Sequence, residues 1–568
     1  MKKNTKRKRI LAALMAGVML LGAAGCSGSG DGSQVESQGS TASGGGDTAP
    51  EPVEIYWFSD VSGWGPANWN GTDTSPALDY IRENFGITFN IEQPPTDAAT
   101  KLGMMIATGD LPDMMSITDG DTIKELITSG YVWEMEELLK ENDPGSHLLE
   151  DFPEDIKSAL VSAYGGWYSF PSHMESAGNR ENFPPDDQVW VDLVKYGSNS
   201  CIIFNTDIME ALDITEEDVS TEEGFYAACE KVKKSGYQVN GESVLPVVLH
   251  CNQWIGTSLD GVLSWNFGAV PVDEEGNYRH QELSPGYKNA LKFVNNCVQK
   301  GYLDVNTLTI DETALKTYLD SQRVFCWIGN QAQITKDNTP WYSYGPILAD
   351  NGAVPAVPIS QSAGTGWIQT FVSKDCVSSS AAAKLLSWAS SREGLLVNYY
   401  GNEGDDYTID DKGIVTRTEE FAKTYEETYA SNMLLWPFAN TSFERNTEAV
   451  PDPTTNRGVE VQLMPALGKY EKSYVYDSSV LSFESSNVVD PSSDLGIQLS
   501  QIESYLESQK AKIVTAATDE AFETEYNNMI STLEGYNISG VDEAYNEVYQ
   551  QYCEDAGTSI EDVNADLY

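Results

Sequence analysis

Residues 107–115, Ala-Thr-Gly-Asp-Leu-Pro-Asp-Met-Met, mark the end of a helix and the start of a buried strand. A glycine such as Gly109 commonly ends a helix, because it adopts left-handed backbone angles without strain. Pro112 lacks the backbone N–H that would continue the helix, and a mostly apolar run, Met114–Ile117, follows it. We therefore predict a helix over 98–107 and a strand over 114–117.

The chain on both sides of this stretch alternates between strand and helix patterns. Such alternation indicates an α/β fold with a mostly parallel sheet. The further predicted strands are 53–58, 87–91, 201–207, 244–249 and 324–328, with a crossing segment at 365–372. The further predicted helices are 76–85, 221–235, 254–267, 285–300, 312–323, 379–390, 494–516, 520–533 and 541–553, with one beginning at Thr122.

The N-terminus has the pattern of an export signal that ends at Cys26. Six basic residues between Lys2 and Arg9 precede an apolar run, Ile10–Leu21, which is the order found in secretory leaders. This run is too short to span a bilayer, which needs about 20 apolar residues. Ala23-Ala24-Gly25-Cys26 resembles the lipobox of bacterial lipoproteins, although Ala23 stands where leucine is usual. The resemblance implies acylation of Cys26; the alternative is an ordinary cleaved leader.

The rest of the chain divides by composition into a tether and an acidic folded part. Residues 27–50 are almost all small or polar and include no aromatic residue, so they cannot bury a core. Aromatic residues are spread through the chain beyond residue 50, which is long enough for two or more domains. The formal charge of −51 repels nucleic acid and anionic lipid, and it disfavours an acidic ligand unless a basic pocket exists.

The cysteines and acidic loops do not have the spacing of metal sites. Of eight cysteines, seven remain if Cys26 is acylated, and we expect most of these to be small buried residues. A bridge such as Cys251–Cys297 remains an open alternative. The acidic segments 272–278 and 408–414 lack the ligand spacing of a calcium loop, so we predict hairpin turns. We expect no metal and no cofactor.

The sequence also lacks a recognisable catalytic motif. None of the four histidines belongs to an H-E-x-x-H sequence, and Ser258 misses the G-x-S-x-G pattern by one residue. A glycosidase would need a pair of carboxylates, but no pair stands out among 86 acidic residues. We predict a binding protein without catalytic residues, and a glycosidase remains an alternative.

Several motifs resemble, in order, those of one protein family. Residues 107–115 are similar to the Gly-Asp-x-Pro-Asp signature of bacterial extracellular solute-binding proteins of the maltose-binding-like superfamily, and 166–171 and 201–207 resemble strands that follow in that family. Residues 395–408 and the C-terminal helices resemble the large lipoprotein receptors that include alginate-binding proteins. The resemblance implies an α/β, two-lobed fold of the periplasmic-binding-protein type (type II), each lobe a mixed sheet flanked by helices, with a helical C-terminus.

The family's topology implies a division of the chain and a mode of action. A receptor of this kind captures its solute between two lobes, closes by a hinge and docks on the permease of an ABC importer; it would be a monomer, held by its lipid anchor at the outer face of the cytoplasmic membrane. The expected parts are a signal peptide at 1–25, a tether at 26–50, a first lobe of 51–198 and 366–430, and a second lobe of 200–363 and 431–568.

Tryptophans and polar residues at predicted strand ends favour a sugar as the ligand. Aromatic rings stack on the apolar faces of sugars, and carboxylates and amides bind the hydroxyls at the edges, so the mixture favours a neutral oligosaccharide. The alternatives are a peptide or other solute, or a surface glycan-binding protein without a transporter. For Trp57 the core is an equal possibility, while His173 could be a structural residue and Arg445 could pair with an acid. The predicted ligand-binding residues are Trp57, Asp60, Trp64, Trp69, Asp119, His173, Asn205, Asn252, Gln253, Trp254, Trp327, Asn330, Gln331, Trp367, Trp436 and Arg445.

Overall fold

A computed structural model shows that the chain forms an α/β fold built around two separate β-sheets. The structure describes residues 51–61, 75–94, 97–361, 365–421, 436–483 and 485–567. The predicted leader and tether with Cys26, and the predicted site residues Trp64 and Trp69, lie outside these described residues.

Fifteen strands occur in the described part of the chain, nine of them in the two main sheets. The first sheet has the order β2-β1-β3-β12-β4, and the second has the order β10-β5-β9-β8. The strands are β1 (Val53–Ser59), β2 (Ile87–Glu92), β3 (Met114–Ile117), β4 (Phe170–Pro171), β5 (Ser200–Asn205), β6 (Gln238–Val239), β7 (Glu242–Ser243), β8 (Leu245–Leu249), β9 (Val324–Asn330), β10 (Trp341–Tyr342), β11 (Ala356–Ile359), β12 (Gln369–Val372), β13 (Tyr407–Ile409), β14 (Val415–Arg417) and β15 (Tyr474–Asp477).

Helices flank both sheets and form the C-terminus. A π-helix, Ile255–Leu263, and several short 3₁₀ segments lie between them. The α-helices are α1 (Pro76–Phe85), α2 (Ala98–Thr108), α3 (Gly120–Thr128), α4 (Met135–Asn142), α5 (Leu148–Asp151), α6 (Glu154–Tyr164), α7 (Ala177–Asn182), α8 (Gln188–Tyr196), α9 (Thr206–Ala211), α10 (Glu216–Val219), α11 (Glu222–Ser235), α12 (Ser264–Asn266), α13 (Pro285–Gln299), α14 (Glu312–Asp320), α15 (Ser379–Ser390), α16 (Arg392–Tyr400), α17 (Thr441–Thr447), α18 (Asn456–Leu463), α19 (Ser485–Val488), α20 (Asp494–Val514), α21 (Asp519–Gly535) and α22 (Ile538–Ala556).

Both sheets mix parallel and antiparallel pairs, as the resemblance implied. In the first sheet β1 pairs in parallel with β2 and β3, whereas β12 runs antiparallel to β3 and β4. In the second sheet β8 and β9 are parallel, and β5 runs antiparallel to both β9 and β10. In each sheet an antiparallel strand directly follows a predicted crossing: β5 after residue 198 and β12 after residue 365. Each predicted crossing therefore leads into a strand that pairs with one of the parallel strands: β5 with β9, and β12 with β3.

Each sheet is covered on both faces. Along β1, Trp57 packs into one hydrophobic cluster while its neighbour Phe58 packs into another. Along β9, Trp327 and Ile328 divide in the same way between two clusters. Successive strand residues point to opposite faces, so this alternation means that helices bury both sides of each sheet. The long apolar runs of β1 and β9 follow from that arrangement.

The segment after residue 435 packs with residues of the predicted first lobe. Phe438 lies in the same cluster as Trp57, and Phe443 of α17 packs with Leu395 and Tyr399 of α16. The helices α20 to α22 pack on the second sheet instead, in the cluster that contains Phe204. The lobe boundary at residue 430 stays a prediction, and these contacts favour a boundary nearer to residue 450.

The seven cysteines in the described part of the chain are all free thiols, and six of them are buried, which confirms that most are small core residues. The described acidic segment 408–414 forms the turn of the β13–β14 hairpin, as predicted. Within the described ranges no group of three or more His, Cys, Asp or Glu side chains could hold a metal ion. None of the described helices is both long and apolar enough to cross a membrane.

Candidate functional site

Five predicted site residues lie along one edge of the first sheet. This edge is formed by the carboxyl ends of β1, β3 and β4 and by the start of β12, because β12 runs in the opposite direction. Gln369, the first residue of β12, stands opposite both Ile117 and Pro171. Polar groups at the carboxyl ends of parallel strands are the usual ligand contacts of α/β sheets. The five residues are Asp60, Asp119, His173, Trp367 and Trp436.

Asp60 is a half-buried carboxylate directly after β1. Its Oδ2 accepts hydrogen bonds from the backbone N–H of Thr118 at 2.8 Å and from the Thr118 hydroxyl at 3.1 Å. Its Oδ1 is buried and has no hydrogen-bond partner within the described part of the chain. Burial raises the pKa of Asp60, although the bonds from Thr118 oppose that change. The Oδ1 atom is therefore a buried acceptor near the edge of the sheet that lacks a hydrogen-bond partner among the described residues.

Asp119 lies beside Asp60 and caps helix α3. Its carboxylate accepts the backbone N–H of Thr122 at 2.9 Å and the Thr122 hydroxyl at 2.6 Å, and these bonds lower its pKa. One oxygen of the side chain is occupied by this cap. Asp119 is an exposed residue, and its second carboxylate oxygen takes no part in this cap.

Three aromatic rings gather at the other end of the edge. The His173 ring centroid lies 4.5 Å from the Trp436 ring in an edge-to-face arrangement and 6.3 Å from the Trp367 ring. Trp367 is 45 % exposed, whereas His173 and Trp436 are half-buried. Burial lowers the pKa of His173 to about 4, so its ring is neutral at physiological pH. The structure therefore brings an exposed indole, a second indole and a neutral imidazole together.

The return crossing is held closely against the end of β4 at this point. The backbone N–H of Ser172 donates to Ile368 O at 3.0 Å, and Ile368 N–H donates to Ser172 Oγ at 3.2 Å. Gly366 has a φ of +61°, and a Cβ atom there would lie 1.7 Å from Ser172 O. Only glycine fits such a close approach. The position of Trp367 is thus fixed by contacts on both sides of it.

The second sheet presents a comparable edge at the other crossing. Asn330 ends β9 opposite Ser200, which begins β5, and the backbone N–H of Gln331 donates to Asn199 O at 2.8 Å. Asn252 and Gln253 follow β8 and are exposed. Both sheets therefore present polar residues where the chain passes from one lobe to the other.

His250 connects the ends of β8 and β9 at this second edge. It is almost fully buried, and its Nδ1 accepts the backbone N–H of Asn330 at 3.4 Å. Burial lowers the pKa of His250, so this ring is also neutral. Its backbone N–H donates to Ser258 Oγ at 2.9 Å, which ties the strand end to the π-helix.

Three other predicted tryptophans and Asn205 are not available to a ligand at either edge. Trp57 and Trp327 are 0 % exposed and lie in hydrophobic cores, and Trp254 is buried as well. These rings pack against side chains from helices on the sheet faces, so in this conformation no ligand reaches them. Asn205 lies at the opposite end of the second sheet, where its side chain donates to Gln322 O and caps helix α9.

The side chains of Gln331 and Arg445 already bond to other residues of the protein. The buried Gln331 side chain donates to Asn199 Oδ1 at 3.4 Å. Arg445 forms an ion pair with Glu175, and its side chain is only 11 % exposed. The pairing of Arg445 with an acid was the structural alternative that the sequence left open.

A family model described as bacterial extracellular solute-binding protein matches residues 67–395. The chain belongs to this family. The match includes the strands of the first sheet's edge except β1, and all of the second sheet. No curated protein sequence matches the chain at a significant level.

Solved structures of other solute-binding proteins share the fold of this one. The Streptococcus pneumoniae ABC-transporter substrate-binding protein FusA, in complex with kestose, has a TM-score of 0.67 at 16 % identity over 89 % of this chain and 100 % of its own. The alginate-binding protein AlgQ2 has a TM-score of 0.60 at 12 % identity, covering 88 % and 98 %. The N-glycan transport protein NgtS from Streptococcus pneumoniae has a TM-score of 0.54 at 14 % identity, covering 89 % and 100 %.

Sequence reasoning missed three residues that shape the edges of this solute-binding protein. Ser172 and Gly366 position the crossing beside His173 and Trp367, and His250 links two strand ends. Gly366 directly precedes an aromatic residue and an apolar strand, which is a weak sign of a constrained turn. The partners of Ser172 and His250 are distant in sequence, so no local pattern indicates them.

Proposed function

We propose that this solute-binding protein is the lipid-anchored receptor of an ABC importer and that it captures a neutral oligosaccharide between its lobes. The ligand site would be formed by the two sheet edges at the crossings. Asp60, Asp119, His173 and Trp367 would contact the ligand from the first lobe. Asn252, Gln253 and Asn330 would contact it from the second.

The exposed indole of Trp367 is the observation that carries this proposal. A large aromatic ring that is 45 % exposed at the ligand edge of an α/β sheet offers a flat apolar surface, and sugars present matching C–H faces. The neighbouring carboxylates of Asp60 and Asp119 accept hydrogen bonds from hydroxyl groups. Their negative charge disfavours a uronic or sulfated sugar.

The printed names of the structural neighbours support a saccharide as the ligand, although alginate, unlike kestose, is an acidic polymer. FusA was solved with kestose, NgtS is named for N-glycan transport, and AlgQ2 is named for alginate. The mechanism would be capture without catalysis: a ligand first bound by one lobe gains contacts to the other, and those contacts stabilise the closed form. The closed monomer would then dock on the permease.

Replacing Trp367 with alanine should weaken binding of a neutral oligosaccharide by about tenfold or more. Loss of a stacking surface of this size costs about 1.5 kcal/mol, and 1.4 kcal/mol corresponds to a factor of ten. Isothermal titration calorimetry with kestose and a panel of other neutral tri- and tetrasaccharides measures the change. Tyr342→Ala is the matched control, because Tyr342 is 41 % exposed but lies at the opposite end of the second sheet, where it pairs with Phe204.

Calorimetry and two further measurements separate the proposal from its alternatives. Absence of heat with every saccharide would contradict the carbohydrate proposal, and heat with a peptide mixture would indicate a peptide receptor. A surface glycan-binding protein would bind sugar without the decrease in radius of gyration that small-angle X-ray scattering detects on lobe closure. Release of reducing sugar would reveal a glycosidase.

Replacing Cys26 with serine should release the protein from the membrane and leave its sugar affinity unchanged. Acylation needs the cysteine thiol, and the tether of residues 27–50 separates this position from the folded part. A tether would keep the receptor close to its permease at an effective concentration set by tether length. Cell fractionation and calorimetry on the released protein measure the two effects. A serine variant that stayed in the membrane, or that lost affinity, would contradict this separation of roles.

A further inference from the structure

His173 occupies an unusual position for a histidine. Its backbone φ is +50°, in the left-handed region that residues other than glycine seldom adopt. Such a conformation persists where the surrounding structure holds it, commonly at a binding site. Here the ring is held between the exposed Trp367 and Trp436. No charged side chain forms a hydrogen bond or ion pair with it in the described part of the chain.

The hydrogen bonds of Ser172 determine which nitrogen of His173 carries the proton. Ser172 is 0 % exposed, and its Oγ already accepts the N–H of Ile368 at 3.2 Å. Its hydroxyl has one proton to donate. Within the described ranges the acceptor that its Oγ meets is His173 Nδ1, at 2.9 Å. A buried hydroxyl proton needs an acceptor, so Nδ1 accepts this bond and the ring proton resides on Nε2.

The opposite tautomer and the charged ring both conflict with this arrangement. A proton on Nδ1 would point at the serine oxygen, and the buried serine proton would lose its acceptor. Burial lowers the pKa of His173 to about 4, which also favours the neutral ring. The imidazole is therefore a neutral donor with an N–H at Nε2, next to the exposed indole.

We propose that His173 is a specificity-determining residue that donates its Nε2–H to an oxygen of the bound sugar while Ser172 fixes the tautomer. This inference rests on the proposed function and extends it to a single hydrogen bond. Trp367 would bind the apolar face of the sugar, Asp60 would accept from a hydroxyl, and His173 would supply the donor. A ligand with a carbon–hydrogen group in place of that oxygen would leave the N–H unpaired and bind less tightly.

The tautomer can be tested without any ligand. In protein labelled with ¹⁵N at histidine, a long-range ¹⁵N–¹H correlation spectrum distinguishes protonated from unprotonated ring nitrogens. We expect His173 to show a protonated Nε2 and an unprotonated Nδ1, with its signals assigned by their loss in His173→Gln. A protonated Nδ1 would overturn the inference, whatever the protein binds.

The donor role is tested with a matched pair of variants, His173→Gln and His173→Leu. Both variants place a residue with a Cβ atom on the same left-handed backbone, so any strain from that backbone is equal in the two. Only glutamine retains an N–H donor. A neutral hydrogen bond contributes about 1 kcal/mol. The affinity of His173→Leu for kestose, or for another neutral saccharide that binds, should therefore be about fivefold to tenfold lower than that of wild type. The affinity of His173→Gln should stay within about threefold of wild type.

Three outcomes decide the matter. Rescue by glutamine together with a shift of the Nε2 signal on addition of the saccharide supports the inference. Equal affinities of wild type and His173→Leu would overturn it while leaving the oligosaccharide receptor intact. Wild-type protein that bound no saccharide would overturn the proposed function, and the donor role with it. A thermal unfolding transition, measured for both variants, tests whether each is folded.

Discussion

Replacing Lys510 with methionine is expected to lower the free energy of unfolding by about 3 to 5 kcal/mol, the usual cost of removing one partner of a buried ion pair. The Lys510 side chain is 5 % exposed. Its Nζ lies 2.9 Å from Asp260 Oδ2 and 2.9 Å from Glu282 Oε1. Methionine fills the space but leaves two carboxylates without their cation. Because Lys510 lies on α20 and its partners lie on the π-helix and a 3₁₀ turn, the variant should loosen the C-terminal helices from the rest of the second lobe.

A control on the same helix separates the ion pair from a general effect of methionine. Lys512 is exposed two residues further on, and Lys512→Met should change stability by less than about 0.5 kcal/mol. Adding Asp260→Asn and Glu282→Gln to Lys510→Met removes the unpaired charges and should restore part of the lost stability. Urea denaturation followed by circular dichroism measures all three. An equal, small effect of the two lysine variants would show that the buried pair contributes little.

Much of the fold was predictable because its signals are local. Helix α1 matches its predicted range of 76–85, and local residues bound it: the Ser75 hydroxyl accepts the N–H of Leu78, Pro76 occupies the first turn and Gly86 takes a left-handed angle at the end. Gly109, at the end of α2, also adopts a left-handed backbone angle, as predicted. Caps, prolines and glycines act within a few residues, so a single sequence reveals them.

Elements that depend on distant contacts were predicted less well. The helix expected over 254–267 is instead a π-helix, Ile255–Leu263, followed by a short α-helix, Ser264–Asn266, with a non-helical backbone at Gly261. Hydrogen bonds from Ser258 to Ile328 O and from His250 to Ser258 hold this segment to the second sheet. No pattern within the segment itself indicates those partners.

The candidate site also depends on contacts that the local sequence does not show. A tryptophan near a strand end can point to the ligand edge or into a core, and position in sequence does not tell which; Trp367 is exposed whereas Trp57 and Trp327 are buried. A polar residue between a strand and a helix is as good a sign of a helix cap as of a ligand contact. Asn205 proved to be a cap.

Replacing Gly366 with alanine is expected to disrupt the first lobe's edge and reduce sugar affinity by at least about tenfold. Two costs combine. The left-handed backbone angle of +61° disfavours a Cβ atom by about 1 to 2 kcal/mol, and the new methyl group would lie 1.7 Å from Ser172 O. Because Ser172 O is backbone, the end of β4 or the crossing must move, with a further strain of about 1 to 3 kcal/mol.

That movement acts on the residues proposed to bind the ligand. Ser172 holds His173, and Ile368 follows Trp367 directly, so a shift between them separates the imidazole from the exposed indole. Gly352→Ala is the matched control, since Gly352 also has a left-handed angle, φ +84°, but has open space around the position of a Cβ. Calorimetric affinity and thermal unfolding should show a small stability loss alone for Gly352→Ala and a loss of both properties for Gly366→Ala. If the two variants behaved alike, the contact between Gly366 and Ser172 would not be what positions the site.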